Sequence, residues 1–223
     1  MSDVVVPIKL GMVNAYLLRA HEGFVLVDTG LSTGWGKLES ALKASGCLPD
    51  HLNLVVITHG DFDHTGGCAN LQQRYGAKIA MHEADAQQVE TGVPLEREIG
   101  FPLFRVIMFL RKAKRHGHTP EFQTFEPDLG LTDGQSLEEY GVDAKVLHLP
   151  GHTPGSIVVL LADGDVIAGD TVSNMVKPGR SPFIWDRTQL RESIEKLKRM
   201  DLGTIYPGHG KPFTVAELHK IEV

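Results

Sequence analysis

Residues 58–67, THGDFDHTGG, concentrate side chains that bind metal ions. His59, Asp61, Asp63 and His64 lie within six positions of this stretch. Imidazole nitrogens and carboxylate oxygens are ligands of zinc, iron and manganese, and metal ions held by them activate water for hydrolysis. The alternative interpretation is a polar loop that contains two histidines by chance.

Three later segments place further ligand-type residues directly after apolar runs. His152 in HLPGHTPGS, Asp170 in VIAGDT and His209 in IYPGHG each follow a predicted strand. His59 ends the run LNLVVITH, which has the composition of a buried strand. Ligands on turns at strand ends can converge on one point, so we expect these positions to form one site.

Short runs rich in valine and isoleucine alternate with longer amphipathic runs, a texture typical of α/β proteins. The sequence predicts strands at 4–10, 14–18, 24–28, 54–58, 78–81, 143–149, 156–161, 165–168 and 204–206. Helices are predicted at 34–44, 65–75, 83–90 and 188–200. From about 91 to 128 this alternation of apolar and amphipathic runs ends. We interpret this segment as a helical lid inserted into a single domain that spans residues 1–223.

Composition narrows the class of protein. With 223 residues, 42% of them hydrophobic, the chain can bury a sizeable core. A formal charge of −6 does not favour nucleic acid as a partner. Cys47 and Cys68 form no CxxC pair, and no run approaches the length that spans a bilayer. We expect a cytoplasmic protein without a membrane span, and the metal-type motifs add the expectation of an enzyme with a small-molecule substrate.

The successive motifs resemble those of the metallo-β-lactamase superfamily over nearly the whole chain. They are VDTG at 27–30, the HxxxDH frame at 59–64, GHTPGS at 151–156, GD at 169–170 and PGHG at 207–210. The resemblance implies an α/β fold, the four-layered αββα sandwich of that family. It also implies a binuclear metal centre at one edge of the two sheets.

For the first metal, the resemblance implies His59 and His152 as ligands, with Asp61 in the place of the family's usual histidine. A carboxylate adds a negative charge and a hard oxygen, which favours iron or manganese. Alternatively, the side chain of Asp61 is too short to reach, which would leave this site weak or empty. Asp28 is interpreted as a carboxylate that orients the ligands through hydrogen bonds, with a cap on the following turn as the alternative.

For the second metal, the resemblance implies Asp63, His64 and His209, with Asp170 bridging the two ions. We expect two divalent ions, zinc first, with iron or manganese as alternatives. Two cations that share a solvent molecule lower its pKa and supply a hydroxide nucleophile at neutral pH. In this interpretation Asp63 is the catalytic residue that orients the hydroxide, and the enzyme is a binuclear metal-dependent hydrolase.

The GHTPGS motif limits the range of expected substrates, because it resembles the glyoxalase II and lactonase-like branches of the family. A thioester, a lactone or a related ester is therefore expected. Arg111 and Lys112 of the lid could contact an anionic tail, and Ser173 and Asn174 are further candidate substrate contacts. Alternatively, the lid packs on the domain or on a second subunit of a homodimer.

Other functions use the same ligand set. A phosphodiesterase would apply the metals to a phosphoryl centre, and an iron-containing redox enzyme of the same fold would use them to reduce oxygen. A non-catalytic metal-binding scaffold belongs to another class altogether. Such a scaffold would be expected to lose ligands, whereas every ligand position of this chain holds a residue that can bind metal.

Overall fold

The computed structural model describes residues 4–100 and 123–222. The strands are β1 (Val5–Leu10), β2 (Val13–Arg19), β3 (Phe24–Val27), β4 (Leu52–Val56), β5 (Ile79–Met81), β6 (Glu98–Ile99), β7 (Leu129–Gly130), β8 (Ala144–His148), β9 (Ile157–Leu161), β10 (Val166–Gly169), β11 (Val172–Ser173), β12 (Gly179–Arg180), β13 (Phe183–Ile184), β14 (Thr204–Pro207) and β15 (Phe213–Thr214). The α-helices are α1 (Trp35–Ala44), α2 (Phe62–Thr65), α3 (Cys68–Tyr75), α4 (Ala86–Thr91), α5 (Arg187–Lys198) and α6 (Val215–Leu218).

Two mixed sheets form the centre of the fold. The first has the order β1-β2-β3-β4-β5-β7, antiparallel from β1 to β3 and parallel from β3 to β7. The second has the order β15-β14-β10-β9-β8, in which β10 and β14 run parallel and the other neighbours run antiparallel. Each sheet therefore contains a parallel strand pair whose C-terminal ends lie together.

Alternation along the strands explains how the sheets stack. In β2, Tyr16 and Leu18 point into a core shared with the second sheet, which contributes Val159 and Ile167. The intervening Leu17 points to the other face, where helices α1 and α3 pack. On the far side, α5 and α6 cover the second sheet in the same way. The predicted four-layered αββα sandwich is confirmed.

The predicted helix at 65–75 is two helices in the structure. Helix α2 begins at Phe62, inside the metal-type motif, and α3 begins at Cys68. The break falls at Gly66 and Gly67, where the chain passes close to the backbone after β3: Gly66 N–H donates to the carbonyl of Gly30 at 2.8 Å. A Cβ on Gly66 would lie 2.6 Å from the carbonyl carbon of Leu31, so this approach requires glycine.

The predicted helix at 83–90 is also divided, into a 3₁₀ turn at Glu83–Asp85 and helix α4. The segment predicted as a helical lid contributes strand β6, which pairs with β13. Its central part, residues 101–122, lies outside the described residues, so its helical character stays a prediction. Among the described residues, no helix has the length and apolar character needed to cross a bilayer.

Candidate metal centre

The two parallel strand pairs bring separate motifs to one edge of the sandwich. Strands β3 and β4 end side by side, which places Asp28 next to Thr58. Strands β10 and β14 likewise end side by side, which places Asp170 next to His209. Residues that are distant in sequence meet here because parallel neighbours end at the same edge of a sheet.

Asp28 contacts His64 directly and is linked to His59 through the hydroxyl of Thr58. Its Oδ2 lies 2.8 Å from Nδ1 of His64 and accepts a hydrogen bond of 2.8 Å from Oγ1 of Thr58. That hydroxyl lies 2.9 Å from Nδ1 of His59. Asp28 has a φ of 59°, a left-handed conformation that is uncommon for a residue with a side chain. This is the arrangement expected of a carboxylate that orients metal ligands.

His152 and His209 are held by backbone carbonyls. Nδ1 of His152 lies 2.8 Å from the carbonyl oxygen of Phe183 and 2.9 Å from Oγ of Ser181. Nδ1 of His209 lies 2.8 Å from the carbonyl oxygen of Met12. When Nδ1 donates its proton to these oxygens, the lone pair of Nε2 is left for a metal ion.

All seven ligand candidates from the sequence meet in one pocket. Their ligand atoms form three overlapping groups, each within 4.8 Å: His59, Asp61 and His152; His59, His64 and Asp170; and Asp63, His64 and His209. Asp170 lies between the groups. Its Oδ1 is 3.5 Å from Nε2 of His64, and its Oδ2 is 3.3 Å from Nε2 of His209 and 3.9 Å from Nε2 of His152.

The pocket contains buried polar atoms that no protein group satisfies. Among the described residues, Nε2 of His59 and Oδ1 of Asp170 have no hydrogen-bond partner. Leaving such a group unpaired costs about 1–3 kcal/mol. A divalent cation would satisfy both atoms, and the imidazole and carboxylate donors are of the right chemical type. The residues present therefore fit a divalent metal ion.

The charges of the pocket are strongly coupled. Burial alone would lower the pKa of His64, but Asp28 and Asp170 raise it to about 10. Burial likewise opposes the charge on His209, while Asp170 raises its pKa to about 9. Burial would raise the pKa of Asp170, but His209 and His64 hold it well below its usual range. Protons on the two histidines balance the negative charge of the carboxylates. Binding of a metal ion would release these protons.

Arg97, which no sequence motif indicated, also lies in this pocket. Its Nη2 donates to Oδ1 of Asp61 at 2.6 Å, and its Nη1 lies 3.0 Å from Nε2 of His152. Burial would raise the pKa of Asp61, but the positive charge of Arg97 holds it well below its usual range. Because Arg97 belongs to none of the motifs, the sequence carried no signal for this contact.

Asp85 is a second residue that the sequence analysis missed. Its buried carboxylate accepts hydrogen bonds from the N–H groups of Gly60 at 2.8 Å and Gly155 at 2.7 Å. The hydroxyl of Thr153 donates to it at 2.7 Å. Asp85 thus ties the loop of the THGDFDH motif to the loop of the GHTPGS motif. The surrounding sequence HEADA offered no pattern that distinguishes it from a surface turn.

The predicted substrate contacts have different positions. Ser173 is buried in β11, and the side-chain amide of Asn174 donates to the carbonyl of Lys211 at 2.9 Å. The backbone N–H of Asn174 also donates to the carbonyl of His209, so this residue holds the ligand loop. Arg111 and Lys112 lie outside the described residues. Contact of these four residues with substrate stays a prediction.

The chain belongs to the metallo-beta-lactamase superfamily, whose family model matches residues 8–209. The acyl-coenzyme A thioesterase MBLAC2 of Homo sapiens is 28% identical over 226 residues, covering 93% of this chain and 76% of that protein. The hydroxyacylglutathione hydrolase GloC of Haemophilus influenzae is 26% identical over 223 residues, covering 97% and 94% of the two chains.

Solved structures agree with this assignment. A metallo-beta-lactamase from Cronobacter sakazakii has a TM-score of 0.68 at 25% identity, covering 93% of this chain and 75% of that one. TTHA1623, solved in a di-iron-bound form, has a TM-score of 0.71 at 24% identity, covering 97% and 98%. These likenesses confirm the fold. The relatives and the three ligand groups together support a metal-dependent hydrolase.

Proposed function

We propose that this protein hydrolyses an ester-like bond of a small molecule, a thioester in the first instance, with the help of two divalent metal ions. The observation that carries the proposal is the convergence of seven ligand-type side chains on one pocket that contains unsatisfied buried atoms. The names of two relatives, an acyl-coenzyme A thioesterase and a hydroxyacylglutathione hydrolase, support an acyl substrate.

The ligands divide into two half-sites. The first half-site consists of His59, Asp61 and His152, and the second half-site consists of Asp63, His64 and His209. Asp170 joins them, because it lies within 4 Å of histidines from both half-sites: 3.9 Å from His152 and 3.3 Å from His209. Bound divalent ions lower the pKa of water and polarise the bond under attack. Zinc suits the imidazoles, and iron or manganese suits the additional carboxylate.

Asp63 is the candidate catalytic residue. Its side chain is 28% exposed, whereas those of Asp61 and Asp170 are 8% and 4% exposed, so Asp63 faces entering solvent. Its Oδ2 lies 3.5 Å from Nε2 of His209. In this position the carboxylate can orient a water molecule and accept its proton, while Asp170 stays in the interior between the half-sites.

The surroundings of the pocket favour an apolar acyl group. Among the described residues, five large apolar side chains are exposed and lie close in the sequence to a ligand or to a residue that contacts a ligand. They are Met12, Phe62, Met175, Val176 and Trp185. Phe62 stands between two ligands in the chain, and the carbonyl of Met12 lies against His209. Trp185 N–H donates to the carbonyl of Gly151, the residue before His152. Large apolar side chains exposed beside a site favour binding of an apolar group.

The test is hydrolysis by protein reconstituted with zinc, manganese or iron. We would offer acyl-coenzyme A thioesters of increasing chain length, lactones, simple esters and a phosphodiester, with a chelated sample as the control. Metal-dependent thioester turnover that rises with chain length is expected. Turnover of the phosphodiester alone would replace the proposal with a phosphodiesterase. Bound metal without turnover of any substrate would favour the non-catalytic scaffold.

A further inference from the structure

The two half-sites have different electrostatic partners. In the first half-site, Arg97 contacts Oδ1 of Asp61 at 2.6 Å and Nε2 of His152 at 3.0 Å. Two of the three side chains of this half-site are therefore already bound to a cation. In the second half-site, Asp63 pairs with His209. A fixed positive charge thus distinguishes the first half-site from the second.

The guanidinium group of Arg97 is held in place by structure on both sides. Its side chain is 11% exposed, and its Cζ lies 5.4 Å from the ring centroid of Phe183. Strand β6 begins at the next residue and pairs with β13, with Ile99 opposite Phe183. The carbonyl of Phe183 also binds Nδ1 of His152. One strand pair therefore positions both the arginine and the histidine that it contacts.

Arg97 contacts two of the side chains that a metal ion in the first half-site would need. If Nδ1 of His152 donates to the carbonyl of Phe183, Nε2 is the acceptor, and Nη1 of Arg97 fills that lone pair. Oδ1 of Asp61 accepts from Nη2, whereas Oδ2 of Asp61 lies 3.2 Å from Nε2 of His152 and 3.5 Å from Nε2 of His59. A divalent ion placed there would also face the positive guanidinium, and like charges repel strongly in a buried site.

We infer that Arg97 is a resident cation of the first half-site that competes with metal for Asp61 and His152, so that the second half-site fills first. The identity of the half-sites rests on the proposed function. Aspartate at position 61, in the place of the family's usual histidine, fits this inference: a carboxylate forms an ion pair with a guanidinium, whereas a neutral imidazole can only accept a hydrogen bond from it. The first half-site is consequently the weaker one.

The experiment measures metal content and leaves activity aside. Metal-stripped protein is dialysed against buffered free zinc over a wide concentration range, and bound zinc is counted by elemental analysis. Wild type is expected to fill in two separated steps. Arg97→Met keeps an unbranched stem and removes the charge, so it should tighten the weaker step by roughly 10- to 100-fold, the range typical for altered partners of metal ligands. Arg97→Lys, which keeps the charge, should leave the steps separated.

A surface ion pair formed by the residue next to Arg97 supplies a matched control. Glu98 pairs with Arg187 at 2.8 Å on the surface, where both side chains are largely exposed, at 62% and 49%. Arg187→Met removes this pair and should leave both zinc steps unchanged. Circular dichroism of the stripped variants verifies folding, and Arg97→Lys supplies the comparison if Arg97→Met does not fold.

The outcomes separate the inference from the proposed function. Two equivalent zinc ions in wild type, unchanged in Arg97→Met, would overturn the inference and leave the hydrolase proposal intact. Weaker zinc binding in Arg97→Met would also overturn it, because Arg97 would then support the ligands. Two separated steps in a protein that hydrolyses none of the substrates would support the inference and contradict the proposed function. Absence of zinc from every variant would contradict both.

Discussion

Asp28 and His64 are 36 residues apart in the chain, yet Oδ2 of Asp28 lies 2.8 Å from Nδ1 of His64. The carboxylate fixes the orientation of the ring and thereby directs Nε2 into the pocket. It sits at the end of β3 in a left-handed conformation that a neighbouring strand and helix hold in place. The orientation of a proposed metal ligand thus depends on a residue from another motif.

Asp28→Asn should weaken zinc binding at the second half-site by roughly 10- to 100-fold, because a carboxamide accepts more weakly from Nδ1 than a carboxylate does. Equilibrium dialysis with elemental analysis measures this change. Asp50→Asn alters an exposed aspartate that belongs to none of the motifs and serves as the control. Unchanged zinc affinity in Asp28→Asn would show that His64 is oriented by its other contacts.

Asp85→Ala should lower the free energy of unfolding by about 3 kcal/mol, because buried donors in two loops lose their shared acceptor. The same change should weaken metal binding, since the loops of His59 and His152 would no longer be tied together. Urea unfolding of the metal-stripped protein isolates the first effect. Glu83→Ala, an exposed position in the same 3₁₀ turn, is expected to stay close to wild type.

Removing the metal should lower the melting temperature. A ligand that binds only the folded state stabilises it by about 2.7 kcal/mol when its concentration is 100 times its Kd. In a chain of this size each kcal/mol corresponds to about 2–4 °C. Calorimetry of chelated and zinc-loaded protein measures the difference, and restoring zinc after chelation should reverse it. Equal melting temperatures in the two states would mean that folded and unfolded chains bind the metal equally well.

The two cysteines should be unreactive in the folded protein. Cys47 and Cys68 are fully buried, and burial raises the pKa of the Cys47 thiol to about 11. Burial also raises the pKa of the Cys68 thiol. The thiolate is the reactive form, so a thiol reagent at pH 8 should label both residues only after unfolding, and labelling of Cys47 should rise as the pH approaches 11. Rapid labelling of native protein at pH 8 would contradict the burial.

The zinc steps of the two half-sites and the effects of Asp28 and Asp85 are separate measurements on one pocket. Asp28 acts on His64, Asp85 acts on the backbone of two loops, and Arg97 acts on the ligand atoms of the first half-site. Because neighbouring sites are coupled, combined variants need not be additive, and each single variant should be compared with its own control.

The chemical types of the ligands and their places at strand ends could be predicted from local residue patterns. Apolar runs such as LNLVVITH predicted the long strands because buried strands need apolar residues on both faces. Successive side chains of a strand lie on opposite faces of the sheet, so Tyr16 and Leu17 of β2 contribute to different cores. These signals are local, so they could be identified without knowing what each strand contacts.

The residues that surround those ligands depend on tertiary packing and could not be predicted in this way. The short strand β6 has little pattern of its own, and it exists because it pairs with β13, far away in the chain. That pairing places Arg97 on Asp61, and the packing of the loops places Asp85 beneath two of the motifs. Contacts between side chains distant in sequence depend on how the layers stack, and no local residue pattern encodes them.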